Sequence, residues 1–339
     1  MLTIAAAAAL GSSTSRVVQP SVAAPAATPY IDSHTHFDER DPRAAVQAVV
    51  DAAARENAST VYMQLPPFDK DAVDVYDAEV VMPAAQQHAG RVAVLGGGGR
   101  LNPMIMRAAA TGDAGPAVQA QFKARAEALL SLGVAGFGEM AAEHFAGATP
   151  YESAPPDHPL FLLLADIAAE HGVPIDLHLE AVPTAMPLPV GLSSPPNAAR
   201  LQPNMAAFER LLAHNRRARI IWAHLGTDFT GFRTPAESRR LLRAHANLYL
   251  EIKHDPGATG KNPVMVDGKV TDEWLALFQE FPDRFLIGSD QHYPEQGQPA
   301  RWPSVVAILN QLPGGLREQI GAANARHVFG TQKRSALAQ

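Results

Sequence analysis

Tyr30-Ile31-Asp32-Ser33-His34-Thr35-His36-Phe37 is an apolar run that closes on two histidines one residue apart. Side chains alternate along a strand with period two, so His34 and His36 leave the same face and can hold one cation from a rigid element. Alone the pair decides little, because 13 histidines in 339 residues produce such a spacing often by chance. Recurrence decides the fold. Apolar runs also stop at Glu139 in Gly136-Phe137-Gly138-Glu139-Met140 and at His178 in Ile175-Asp176-Leu177-His178-Leu179-Glu180. The pattern repeats at His224 in Ile220-Ile221-Trp222-Ala223-His224-Leu225-Gly226 and at Asp290 in Phe285-Leu286-Ile287-Gly288-Ser289-Asp290. Ligand-type residues at successive strand ends are what a parallel β/α barrel places around its active mouth.

Eight short runs read as strands: 30–36, 60–65, 92–96, 134–139, 174–179, 219–224, 248–252 and 285–288. They are apolar on both faces, as parallel strands covered by helices should be. Helical patterns fill most gaps. Pro42–Asn57 carries Ala45, Val46, Val49 and Val50 at helix spacing. Thr234-Pro235-Ala236-Glu237 is a capping box, Thr271-Asp272-Glu273 opens a helix with carboxylates at its positive end, and His171-Gly172 stops one. The expectation is an α/β chain forming a single (β/α)8 TIM barrel over residues 30–331, with a short tail at 332–339. Segments 97–117, 180–202 and 254–270 follow strands and read as long loops on the active face, the second rich in proline.

Composition narrows the chemistry. Apolar residues at 47% and charged residues at 18% describe an ordinary globular chain. A net charge of -6 gives no basic footprint for nucleic acid. The absence of cysteine leaves His and carboxylates as the only metal ligands. Residues 1–29 combine a short apolar, alanine-rich run with a Ser/Ala/Pro stretch, and read either as an export signal or as a disordered leader. The first reading makes the protein exported or periplasmic and the second cytoplasmic. No stretch after that is apolar over the roughly 18 residues that span a membrane. The expected partners are a small-molecule substrate and, with nothing against it, further copies of the chain.

As a set, these residues resemble the amidohydrolase superfamily. The ending Ala323-Asn324-Ala325-Arg326-His327-Val328-Phe329-Gly330 is similar to the closing segment of its amidohydrolase-2 branch. The resemblance implies that His34, His36 and Asp290 bind one divalent metal. It implies that His178 and His224 bind a second, or that His178 joins the first while His224 orients substrate or water. Many relatives have a carbamylated lysine at the strand-4 position. Glutamate there, as in Glu139, resembles the TatD-type nucleases and some lactonases, and would bridge two metals; its alternative is a carboxylate that only orients His178. Zinc suits such ligands best, with manganese, iron or cobalt able to replace it.

The activity implied is that of a metal-dependent hydrolase of a small ester, lactone, amide or related bond. The metal lowers the pKa of a water it holds from about 16 towards 7, and Asp290 takes the proton and passes it to the leaving group. His224, if not a ligand, helps polarise the scissile group. Arg100, Lys253 and His254 follow strands 3 and 7 and are candidates for holding a substrate carboxylate or phosphate. A non-oxidative decarboxylase on the same fold is the alternative, with a TatD-like nuclease third.

Overall fold

All eight expected strands are present in the computed structural model, which describes residues 26–38, 40–73, 75–145, 151–255, 260–294 and 299–330. In chain order they are β1 (Tyr30–Phe37), β2 (Ala58–Gln64), β3 (Val92–Val94) with β4 (Gly96–Gly97), β5 (Phe137–His144), β6 (Pro174–Leu179), β7 (Arg219–Leu225), β8 (Leu248–Ile252), and β9 (Phe285–Ile287) with β10 (Gln291–Tyr293). The order β10-β1-β2-β3 makes one sheet and β9-β8-β7-β6-β5-β4 the main path of another, every pairing along both being parallel.

Two interrupted staves join these sheets into one barrel. In the third, Leu95 N donates to Met63 O (2.9 Å) while Gly96 N donates to Gly136 O (3.1 Å), so β3 and β4 face opposite neighbours. In the eighth, Gly288 N donates to Ile252 O (3.1 Å) and Asp290 N to His34 O (2.8 Å). The chain therefore closes into eight staves. The helices α1 (Pro42–Glu56), α2 (Leu101–Thr111), α3 (Pro116–Leu132), α4 (Pro159–His171), α5 (Met205–His214), α6 (Pro235–Ala244) and α7 (Asp272–Glu280) run between staves, α2 and α3 in one connection, and α8 (Trp302–Gln311) follows the last.

Local signals act as their chemistry requires. Thr234 Oγ1 accepts from Glu237 N at 3.1 Å at the start of α6, and Gly172 ends α4 with φ 65°. The bottom of the barrel is apolar. Ile31, Tyr62, Leu95, Ile221 and Leu286 from five staves pack on Ala325, Val328 and Phe329, with Phe329 stacked 3.8 Å from Tyr62. The closing segment is thus a plug, and Asn324 fixes it by donating to the carbonyls of Pro282 and Phe285, each at 2.8 Å.

Two expectations need correction. Segment 97–117 is not a loop: α2 occupies Leu101–Thr111 and α3 begins at Pro116. The fourth strand does not end at Glu139 but runs from Phe137 to His144, because Glu143 and His144 gain antiparallel partners in Ser153 and Glu152. Of the leader at 1–29, residues 1–25 lie outside the described residues, as does the tail at 332–339, while Ala26 N donates to Glu56 O at 3.3 Å. Among those described, no helix is long and apolar enough to cross a membrane.

Candidate metal centre

Where the apolar plug ends, the barrel interior turns polar. His34 and His36, both buried, bring their Nε2 atoms to 3.4 Å from each other. Asp290 Oδ1 completes a triangle, 2.8 Å from His36 Nε2 and 3.6 Å from His34 Nε2. Ligands about 2.0–2.1 Å from a tetrahedral zinc ion are roughly 3.3 Å apart, so these edges fit a shared cation. Glu139 lies between this triangle and a second pair of imidazoles. Its Oε2 is 3.5 Å from His36 Nε2 and 4.0 Å from His34 Nε2. Its Oε1 is 2.9 Å from both His178 Nδ1 and His224 Nε2.

Backbone geometry presents two of these groups at some cost. His224 (φ 64°) and Asp290 (φ 52°) both occupy the left-handed region, which costs a non-glycine residue of order 1–3 kcal/mol and persists only where the surroundings enforce it. Here they do. Glu251 Oε2 accepts from His224 N at 2.7 Å, His34 O accepts from Asp290 N, and the Arg301 guanidinium donates to both the carbonyl and the carboxylate of Asp290.

The electrostatics favour positive charge at the centre. A cavity of about 260 Å³ opens on the cluster. Its walls hold four carboxylates (Glu139, Glu180, Asp255 and Asp290) against two fixed cations, Lys253 and Arg301, leaving an excess of negative charge. Burial opposes ionisation of Glu139, but hydrogen bonds from His178 and His224 outweigh it and hold the carboxyl well below its usual range. Burial likewise opposes ionisation of Asp290, and Lys253 beside it prevails. Burial would lower His34 and His178, yet Asp176 raises the first to about 10 and Glu139 with Glu180 the second to about 9. Burial and the charge of Lys253 push His224 well below its usual value, so its imidazole is neutral.

A family model described as Amidohydrolase matches residues 31–331. The chain belongs to the amidohydrolase family. Its fold is similar to that of an Agrobacterium tumefaciens protein solved in apo form, at 12% identity over 90% of this chain and 97% of that one, with a TM-score of 0.52. Also similar are 2,6-dihydroxybenzoate decarboxylase complexed with 2,6-dihydroxybenzoate (14% identity, 90% and 99% covered, TM-score 0.49) and amidohydrolase 2 from Bifidobacterium longum subsp. infantis (15%, 90% and 99%, TM-score 0.47). The likeness to the Agrobacterium tumefaciens protein, at such identity, speaks for the fold alone. No curated protein sequence matches the chain. Amidohydrolases are enzymes that generally use divalent metal ions. Among the described residues two groups could hold one: His34, His36 and Asp290, and His34, Glu139 and His224.

Around the amidohydrolase cluster stands a layer that the strand-end pattern does not show. His34 Nδ1 is 2.9 Å from Asp176 Oδ2, His36 Nδ1 is 3.2 Å from Gln64 O, and His178 Nε2 is 3.4 Å from Glu180 Oε1. Such partners fix ring orientation and tautomer in metal-binding histidines. The signal was present as alternation, Asp176-x-His178-x-Glu180, which points all three side chains to one side of a strand. Gly288 makes room for another member of this layer. A Cβ there would sit 2.4 Å from Glu251 Oε1 and 2.7 Å from His34 Cβ. Gly288→Ala should therefore cost about 1–3 kcal/mol or more by overpacking and displace His34, measured as a lower denaturation midpoint together with weaker zinc binding. Wild-type values for both would refute the crowding argument.

Of the three residues proposed for substrate, Lys253 lines the cavity, its Nζ 2.5 Å from Asp290 Oδ2 and 3.2 Å from Asp255 Oδ2. His254 is half-buried and is not among the residues lining the cavity. Arg100 is not brought to the cluster. It precedes α2, its N donates to Asp77 Oδ2 (2.8 Å), and its guanidinium pairs with Glu79. Arg100→Ala should leave kcat/KM within about twofold of wild type; a drop beyond tenfold would place it back in the site. In its stead the wall carries Arg301, His144 and His292, the last held down to about 4 by burial and the neighbouring His36.

Proposed function

We propose that this amidohydrolase is a metal-dependent hydrolase that cleaves a small ester, lactone, amide or related bond at a two-metal site. The observation that carries the reading is the division of Glu139, one oxygen facing the His34–His36 pair and the other the His178–His224 pair. His34, His36 and Asp290 would hold one ion and His178 and His224 the other, with Glu139 shared; zinc is the best match to imidazole and carboxylate donors. When bound, such ions supply Lewis acidity and make water a nucleophile at neutral pH.

The chain's own groups do the rest. Asp290, ionised and held in place by Lys253 and Arg301, accepts the proton as water adds to the acyl carbon, and returns it to the leaving group as that bond breaks. Asp176 and Glu180 stand at ion-pair distance from the outer nitrogens of His34 and His178. The cavity of about 260 Å³ is of a size suited to a small molecule.

A second reading has an observation of its own. The 2.9 Å separations from Glu139 Oε1 to His178 and His224 are also those of a carboxylate that orients two imidazoles without touching metal. One ion per chain would then suffice, and a non-oxidative decarboxylase becomes the better assignment. Elemental analysis of protein purified without a polyhistidine tag separates the two. Two equivalents of metal per chain, with turnover on a panel of esters, lactones and amides, are expected. One equivalent would favour decarboxylation, and none, with no affinity for added zinc or manganese, would sink both.

A further inference from the structure

The cavity has two unlike walls. Phe145 follows the fourth stave and Arg301 the eighth, opposite positions in an eight-stave barrel, and both line the cavity together with the histidine–carboxylate cluster. On one side Phe145 and Phe229 meet edge to face at 6.2 Å, in an apolar cluster backed by Val182 and Leu201. On the other, Arg301 is fixed by two carboxylates: Nη1 donates to Asp290, and Nε lies 3.4 Å from Asp255 Oδ1. Its Nη2 has no partner among the described residues, and the side chain is 28% exposed within this wall. Lys253, between the same two carboxylates, adds a second cation.

We propose that the substrate of this site carries a carboxylate beside a compact apolar body, with Arg301 Nη2 reading the carboxylate and Phe145 with Phe229 holding the body. The inference rests on the metal-site reading above. Alone, the charges of Lys253 and Arg301 are matched by Asp255 and Asp290. Once Asp290 shares its charge with a divalent ion, this wall becomes net positive and its remaining N–H donors face an unfilled demand. Guanidinium donors held in fixed orientation are well suited to a planar carboxylate. The cavity of about 260 Å³ that opens on the cluster has room for a small acid of this kind.

Phenylacetate and its neutral isostere phenylacetamide test this by calorimetry on the zinc-loaded protein. Phenylacetate is expected to bind at least tenfold tighter, and the preference should shrink below threefold in Arg301→Met. Arg301→Lys, which keeps the charge but not the fork, should fall between them and guards against a methionine variant that does not fold. Phe229→Ala should weaken both probes alike. Equal binding of the two probes, or a preference that survives in Arg301→Met because the metal alone holds the carboxylate, would overturn the proposal. Zinc content measured on the same samples keeps the failures apart. A chain without metal sinks the hydrolase reading, whereas a loaded chain without carboxylate preference sinks this one.

Discussion

Asp290→Asn is expected to fold and to lose turnover by about 10²–10⁴-fold, the usual contribution of a positioned general base. The amide keeps the shape of the side chain but not its basicity, so water loses its proton acceptor. The change also removes one carboxylate from between Lys253 and Arg301, which keep Asp255 as partner. Breaking a buried pair costs up to about 3–5 kcal/mol, so the variant should melt earlier while keeping a cooperative transition. Steady-state kinetics with metal content measured in parallel is the check. A variant that retains its metal and turns over near the wild-type rate would take Asp290 out of the proton-transfer role.

The staves were legible because each is a short apolar burst buried on both faces, as in Ile220-Ile221-Trp222. The ligand-type residues were legible because a charged or imidazole group that ends such a burst has nowhere apolar to go. The parts that stayed hidden depend on contacts distant in sequence. Glu251 reaches His224 N from the next stave, and nothing within Leu248–Ile252 announces that role. Arg301, at the N-terminal cap of α8, meets Asp290 from 11 residues further along the chain. Arg100 shows the reverse error. Its position after the third stave pointed to the active face, but Glu79, from the segment between the second and third staves, draws its guanidinium away. Helix α2 was missed for a local reason: the residue before it, Arg100, makes no side-chain cap, and the glycines ahead of it read as loop.

Glu139→Gln separates the two accounts of this site more sharply than any other single change. If Glu139 is shared between two ions, the amide cannot balance both, and metal content should fall from two equivalents to one. Turnover should drop by about 10²–10⁴-fold, since a metal ion contributes several kcal/mol of charge stabilisation and each decade of rate is about 1.4 kcal/mol. If Glu139 only orients His178 and His224, glutamine can still accept a hydrogen bond through its carbonyl oxygen, and a single equivalent should persist with a milder loss. The packing around residue 139 makes the comparison fair. A Cβ at Gly138 would lie 2.3 Å from Gln64 Oε1 and 2.9 Å from Asp176 Cβ, so this backbone is clamped against its neighbours and glutamine, nearly isosteric with glutamate, should keep its place. Metal content, more than rate, therefore tells which chemistry the barrel was built around.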